Sequence, residues 1–472
     1  MATNHFDISK VVEREKPSSV LLEKQREALV KSVEVATDRG RDEGLYERGA
    51  EAEPAGPGVG RSGAAPEPDA AESASGPECR KEDVTRPGPD LTRPPLPRAR
   101  WGPARRPLEL SLARHEELAT RAEAALRRLL VTDNYDSVNN FISLHEAFER
   151  GGDSLYQVYQ QYTPPIRARK HTCVGLGFEL MRRWRSLERD FSGITRATAL
   201  LSCEEAVVDV REYVTCGEGP ADVLAAEKEH VMVGIQIRVD GRLGVMLADP
   251  GYHVPRIVTV MQDRNYPHTG WFVQSDEQHC RKEYNYTFSM LNPGYIEWHE
   301  RETRGETVKC QTSLVYAGRP YLDGINVTER RNLVYNFRSL LSRDQKGHLI
   351  AGLYFPVGAT IKDAQFTLFL NNGPQKRKTK YKFSTFADPQ DLSLHFDKSL
   401  RTTVAIVNKL TSLSCPQIPD EILEEIQLCN TKMNYKEGEL LSIISKLSRV
   451  MADQAFIDQM LEINEDICRM CL

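Results

Sequence analysis

The hydrophobic pattern changes period along the chain, and the changes divide it into blocks. Leu112, Leu118, Ala122, Ala125, Leu126, Leu129 and Leu130 recur at the spacing of an amphipathic helix, so order is predicted to begin near Leu108. A second helix is predicted over Val138 to Glu149, with Asp136 or Ser137 as N-cap. A third runs from Ser154 to Tyr162 and is stopped by Pro164-Pro165. From Val174 to Leu187 the residues Leu176, Leu180, Met181, Trp184 and Leu187 share a helical face. The period then shortens. Gly193 to Asp209 alternates partly and predicts a strand or two, while Glu212 to Lys228, with Gly217, Gly219 and Pro220, reads as a loop insertion. His230 to Val239 and Leu243 to Leu247 alternate on either side of Asp240-Gly241, a hairpin-turn dipeptide. Further strands are predicted at Tyr284 to Phe288, Tyr295 to Glu300, Val308 to Leu314, Asn332 to Leu341, Leu349 to Phe355 and Gln365 to Leu370, with a turn at Asp344 to Gly347. Helical spacing returns in Glu421 to Cys429 behind Asp420, in Gly438 to Met451, and through Phe456, Ile457, Met460, Leu461 and Ile463. The succession predicts an α+β fold: a helical lead-in, an antiparallel sheet or barrel, and C-terminal helices.

Composition changes the picture at the N-terminal end. Arg39 to Pro107 is dominated by Gly, Pro, Ala, Glu, Asp and Arg, with almost no large apolar residues. Such a segment buries too little apolar surface to offset its chain entropy, so disorder is predicted. Its basic, proline-rich end, Arg93 to Arg106, reads as a solvated linker, with a polyproline ligand or an anionic-surface patch as alternatives. Before it, Ser18 to Thr37 has helical character and reads as a frayed, mostly solvated helix, with a short amphipathic helix that docks on the main domain or a partner as the alternative. Four blocks follow: an N-terminal segment at 1–38, a linker at 39–107, a main domain at 108–385 and a C-terminal helical extension at 386–472. The arm and the C-terminal helices are candidate surfaces for a protein partner, although the apolar stripe of those helices reads first as core that closes over the main domain.

The formal net charge of -5 gives no reason to expect nucleic acid as the main partner. No apolar run approaches the roughly 18 residues of a membrane span, and Met1 to Lys10 carries no apolar leader core. A cytoplasmic setting is expected, with a nuclear one as the alternative. The basic run Lys376 to Lys382 looks like a nuclear-import cluster, but its place after Asn372-Gly373-Pro374 predicts an exposed hairpin tip. The ten cysteines show no regular spacing and are expected as free thiols. Cys468-Arg469-Met470-Cys471 has a C-x-x-C form but no second pair, so no metal is expected there.

Three stretches carry candidate chemistry. Cys173 opens a predicted helix, His230 opens a predicted strand, and Asp249 closes the next one. A cysteine attacks as its thiolate, which a helix N-terminus and a nearby imidazolium both favour. Both are in reach of Cys173 if it starts the helix and packs against His230. The Asp240-Gly241 hairpin brings His230 and Asp249 to one end of the sheet. The carboxylate can then hold one ring nitrogen while the other faces the sulfur. Backbone N–H groups at the helix start offer an oxyanion site. His171 is read as a polar neighbour of the site or a solvated loop residue, His253 as a substitute base should His230 point away, and Glu179 as solvent-facing or structural. Taken singly, each triad residue has a plainer role: a buried thiol, a strand-end residue and a turn former.

The order Cys173, His230, Asp249, with Asp249-Pro250-Gly251-Tyr252 closing its strand, resembles the arylamine N-acetyltransferase family within the transglutaminase-like and papain-like thiol superfamily. The resemblance covers roughly residues 108–385. It implies a papain-like cysteine fold and acyl transfer to an amine through a thioester on Cys173. His230 would be the base and then the acid, Asp249 its orienter, and acetyl-coenzyme A a candidate donor. The family carries Arg-Gly-Gly-x-Cys before its nucleophile, whereas this chain has Arg169-Lys170-His171-Thr172-Cys173. That departure widens the expectation to a cysteine enzyme acting on an unassigned acyl group. A thiol hydrolase or peptidase, and an inactive scaffold of the same fold, are the alternatives.

Overall fold

The computed structural model describes residues 94–217, 219–220, 228–277, 280–358, 364–373, 376–386 and 418–470. The predicted helix at Ser18 to Thr37, and the linker as far as residue 93, lie outside these. The described residues form a mixed α+β structure with ten α-helices and two sheets, one of them a curled antiparallel sheet.

The first sheet is built from β4 (Thr198–Glu204), β5 (His230–Val239), β6 (Arg242–Ala248), β7 (Val258–Met261), β8 (Phe272–Glu277), β9 (Cys280–Phe288), β10 (Tyr295–Arg304) and β11 (Thr307–Tyr316), in the order β7-β6-β5-β4-β11-β10-β9-β8. The short β1 (Leu108–Leu110) adds in parallel to the far end of β5, beyond its pairing with β4. The β5–β6 hairpin turns at Asp240 and Gly241, whose φ values of +46° and +82° suit a tight two-residue turn. Two helices cover one face: α1 (Leu112–Thr132), capped by the Ser111 hydroxyl, and α4 (Cys173–Trp184). Leu118, Leu126, Leu129, Leu176, Leu180 and Trp184 bury there against Val231, Val233, Ile235 and Ile237. Alternation along β5 sends Met232 to the opposite face, among Leu247, Tyr284, Tyr286 and Trp298. A Cβ on Gly177 would lie 2.8 Å from a Leu200 methyl, so this glycine lets α4 approach β4 closely.

The second sheet has the order β15-β14-β13-β12-β2-β3, with β2 (Asn134–Asp136), β3 (Lys170–His171), β12 (Phe337–Arg343), β13 (Leu349–Pro356), β14 (Gln365–Asn371) and β15 (Lys376–Lys382). Its core face joins α2 (Val138–Gly151), α3 (Leu155–Gln161), α8 (Asp420–Lys432), α9 (Glu439–Ala452) and α10 (Gln454–Met470) in one hydrophobic cluster. The C-terminal helices therefore complete the core of this sheet. The edge strand β3 runs directly into α4, which lies on the first sheet. Thr172 and Cys173 thus stand where the two sheets meet.

Several local expectations differ from the structure. Residues 94–107, assigned to the linker, are docked: Trp101 donates to the Ser202 hydroxyl at 3.1 Å and packs edge-on against Tyr316, and Arg100 pairs with Asp323 at 2.7 Å. One half-buried indole, with the Arg100–Asp323 pair, outweighs a composition that reads as solvated. Asn332 to Leu341 is not a single strand: a π-helical turn (Gly324–Glu329) and α7 (Arg330–Val334) precede β12. The strand expected within Gly193 to Asp209 is there as β4, but the short α5 (Ile194–Ala197) precedes it, and α6 (Val210–Thr215) occupies the start of the segment read as a loop insertion. The basic run Lys376–Lys382 is the edge strand β15 and not a hairpin tip, because Thr379 and Tyr381 anchor it to Glu425.

Candidate active site

Cys173 is the first residue of α4 and is 2% exposed. The preceding Thr172 occupies the N-cap position but makes no side-chain cap bond. Its hydroxyl donates instead to the buried Glu329 carboxylate, which also accepts from Asn140 Nδ2 at 2.6 Å. The first intrahelical bond reaches back from Leu176 to Thr172, so the N–H groups of Cys173, Val174 and Gly175 precede the helical ladder. An N-cap hydroxyl turned onto Glu329 leaves the positive end of α4 open to the sulfur.

His230 starts β5, and Asp249 follows the last residue of β6. His230 Nε2 lies 3.1 Å from Asp249 Oδ1, with both side chains buried. That leaves Nδ1 as the nitrogen available to a sulfur. Burial opposes a charge on this ring. The Asp249 carboxylate, as a charge and as a hydrogen-bond partner, outweighs it together with the Cys173 side chain, and holds His230 well above the usual imidazole range. Tyr252 fixes the assembly from one side. Its N–H donates to Asp249 Oδ1 at 2.9 Å, its ring stands edge-on to the His230 ring at 4.6 Å, and its hydroxyl donates to Glu205 at 2.7 Å. Burial raises Glu205, while the charge of His230 and the Tyr252 hydroxyl pull the other way.

Gly251 shows how closely nucleophile and base approach. A Cβ built on it would lie 2.7 Å from Cys173 Cβ and 2.7 Å from His230 Cε1. The glycine of Asp249-Pro250-Gly251-Tyr252 therefore fills the gap between the two residues with backbone alone. The three residues singled out in the sequence are thus brought to one place: Cys173 at the start of a helix, His230 beside it, and Asp249 behind the ring.

The other candidates fall elsewhere. His253 is buried with a φ of +56°, its ring faces Tyr135 at 6.1 Å, and burial together with Arg343 holds it well below the imidazole range. His230, not His253, is the imidazole at Asp249. His171 lies 3.4 Å from Asp133 through Nε2 and packs against Gly175, under the first turn of α4. Burial would raise Asp133, but hydrogen bonds from His171 and Thr132 and the charge of Arg183 hold it low. Glu179 accepts from Arg182 and Arg183, a structural role. Among the described residues no group of three or more His, Cys, Asp or Glu side chains is arranged to hold a metal.

Two residues near the nucleophile carry no motif. Glu329, 1% exposed, is pushed up to about 6 by burial, against the bonds from Thr172 and Asn140. Asn332, on α7, places Nδ2 3.8 Å from Cys173 Sγ and 3.3 Å from the carbonyl oxygen of Glu229. The nearest signal in the sequence is the polar run Thr328-Glu329-Arg330-Arg331-Asn332, which ends where the expected strand begins. No helix of the described residues is long and apolar enough to cross a membrane. No protein-family profile matches the chain, and comparison with curated proteins and with solved structures gives no significant match.

Proposed function

We propose that the chain is a cysteine-dependent acyltransferase of papain-like architecture, working through a thioester on Cys173. The observation that carries this reading is the buried contact of Cys173, at an uncapped helix start, with an imidazole held by Asp249 at 3.1 Å across the Gly251 backbone. In this mechanism the Cys173 thiolate attacks an acyl carbon and the carbonyl π pair moves to oxygen. As that pair returns, the leaving group departs with its bonding electrons and takes the proton held by His230. The raised affinity of His230 for a proton suits a ring that stores it beside a thiolate. An amine then attacks the thioester, passing its proton back to His230 as Cys173 is released. Asp249 keeps Nε2 engaged so that Nδ1 does this work.

On this reading a substrate reaches the sulfur past the half-buried side chains of Glu205, Glu229, Tyr252 and Asn332. The segment before Cys173 lends no support to coenzyme A as the donor. Where the family resemblance expects two glycines, Lys170 pairs with Glu439 and His171 lies against Asp133, so side chains occupy ground that bare backbone would leave to a cofactor. The acyl donor is accordingly left as an activated ester, thioester or amide of unassigned class.

The test is selective covalent labelling, by alkylation or by acylation. Full-length protein treated with a limiting chloromethyl ketone or p-nitrophenyl acetate is digested and mapped by mass spectrometry. Cys173 is expected to react ahead of the other nine cysteines, and His230→Ala to abolish that preference. Labelling of Cys173 no faster than the exposed Cys216 and Cys310 refutes the reading.

A further inference from the structure

We infer that Asn332 is a catalytic residue of this site: its side-chain amide is the second donor to the oxyanion that forms when the Cys173 sulfur adds to an acyl carbon. The inference rests on the thioester reading above and adds to it a residue some 159 positions from the nucleophile, contributed by the polypeptide that leads into the second sheet.

The geometry is specific. Asn332 Nδ2 lies 3.8 Å from Cys173 Sγ and 3.3 Å from the Glu229 carbonyl oxygen. The second contact decides which end of the amide faces the sulfur. A flipped amide would set its oxygen against a carbonyl oxygen, so the NH2 group is the end held there. One N–H is occupied by the residue preceding His230, and the other points to the reacting atom. When Sγ bonds to an acyl carbon, the new oxyanion sits within about 3 Å of the sulfur, where a donor now 3.8 Å from Sγ closes to hydrogen-bond distance. The backbone N–H of Cys173 is the first donor, at the end of α4 that Thr172 leaves uncapped. The two donors come from different parts of the chain, one from the helix and one from a side chain.

Asn332 is also held more firmly than a surface asparagine. It belongs to the single turn α7, directly after a π-helical turn, a distortion often found at functional sites. The C-terminal carbonyls of that turn are capped by the buried Arg338 guanidinium, which donates to Asn332 O at 3.1 Å and to Leu333 O and lies over the Phe141 ring. A cation at a helix C-terminus stabilises that end, and here it fixes the backbone carrying the amide. The half-buried Asn332 side chain is thus pre-positioned on the face a substrate would approach. In the addition step the Cys173 sulfur forms a bond to the acyl carbon, the C=O π pair becomes the oxyanion lone pair, and the two N–H groups bind it. When the leaving group departs, with its bonding pair and the His230 proton, the C=O re-forms and both donors are released.

The experiment compares two reactions of the same thiol in the full-length chain. Acylation by p-nitrophenyl acetate passes through an oxyanion, and alkylation by iodoacetamide does not. Asn332→Leu, close in size but without a donor, is expected to slow acylation of Cys173 by about 100-fold and alkylation by less than about threefold. Asn332→Asp keeps the shape and places negative charge at the oxyanion, so it is expected to fall at least as far in acylation; it serves if the leucine variant does not fold. Wild-type acylation that survives unchanged in both variants overturns the inference and leaves the thioester reading standing. An equal loss in acylation and alkylation also overturns it, since it would mean that Asn332 only positions the thiol. A wild-type Cys173 that the ester does not acylate at all sinks the thioester reading and this inference together.

Discussion

Gly251→Ala adds one methyl group at the point where Cys173 and His230 meet. The glycine's φ lies outside the left-handed region, so alanine can adopt the backbone and any loss comes from volume. The new carbon would lie 2.7 Å from Cys173 Cβ, 2.7 Å from His230 Cε1 and 3.2 Å from Cys173 Cα. Ordinary carbon–carbon contact is about 3.5–4.0 Å, so the two closest approaches are short by roughly 1 Å. Neither neighbour yields easily. Cys173 Cβ is fixed by α4, and the imidazole is held between Asp249 and the Tyr252 ring. The expected cost is about 1–3 kcal/mol of stability, as for other overpacked cores. The larger effect is on reactivity. Separating base and sulfur by about 1 Å is expected to slow Cys173 alkylation about 100-fold.

The assay pairs urea denaturation with the second-order rate of iodoacetamide labelling at Cys173. Gly358→Ala is the control: its Cβ meets nothing within 4 Å, and it is expected to change stability by less than about 0.5 kcal/mol. The same methyl group placed in a His230→Ala background removes the decisive neighbour. Its stability cost should then shrink, giving an interaction energy of about 1 kcal/mol or more. Wild-type labelling speed and stability in Gly251→Ala would refute the contact between nucleophile and base. So would a stability penalty that His230→Ala leaves untouched.

Two further predictions concern charge. Glu329 has its folded value raised from 4.5 to about 6, so its stabilising contribution is full below about pH 4.5 and lost as pH rises through about 6. Glu329→Gln is therefore expected to be up to roughly 2 kcal/mol more stable than wild type above pH 6.5 and level with it below pH 4.5, at about 1.4 kcal/mol per pKa unit; urea denaturation across that range checks it, and a pH-independent difference refutes it. His230 titrates well above its ordinary 6.5, so its pairing with Asp249 stabilises the fold fully below about pH 6.5 and fades as pH rises through the raised value. Asp249→Asn should lose about 3 kcal/mol at pH 6, progressively less at alkaline pH, and with it the selectivity of Cys173 labelling.

What could be seen in the sequence divides along a physical line. The β5–β6 hairpin was legible because its signal is local: alternation on both strands and a dipeptide suited to positive φ. That hairpin places His230 and Asp249 together with no tertiary information. The helical start at Cys173 was legible for the same reason. Its arrival beside His230 depends on packing, since α4 must lie on β4 and β5 closely enough to need Gly177. The two-residue β3 and the three-residue β2 are too short to carry any period, yet they set Thr172 and Cys173 at the junction of the sheets. Least legible were Glu329 and Asn332. A run such as Thr328-Glu329-Arg330-Arg331-Asn332 reads as a solvated turn at the start of a strand, because charged residues are seldom buried unless paired. Each is paired, but across long sequence separation: Glu329 with Thr172 and Asn140, Arg330 with carbonyls near Tyr162, Arg331 with Asn464. The polar break in the apolar pattern is therefore where α7 must bend away from regular strand structure, and that bend is what brings an amide to the sulfur. A buried charged run just ahead of a predicted strand is, in this chain, a better pointer to the site than the strand it precedes.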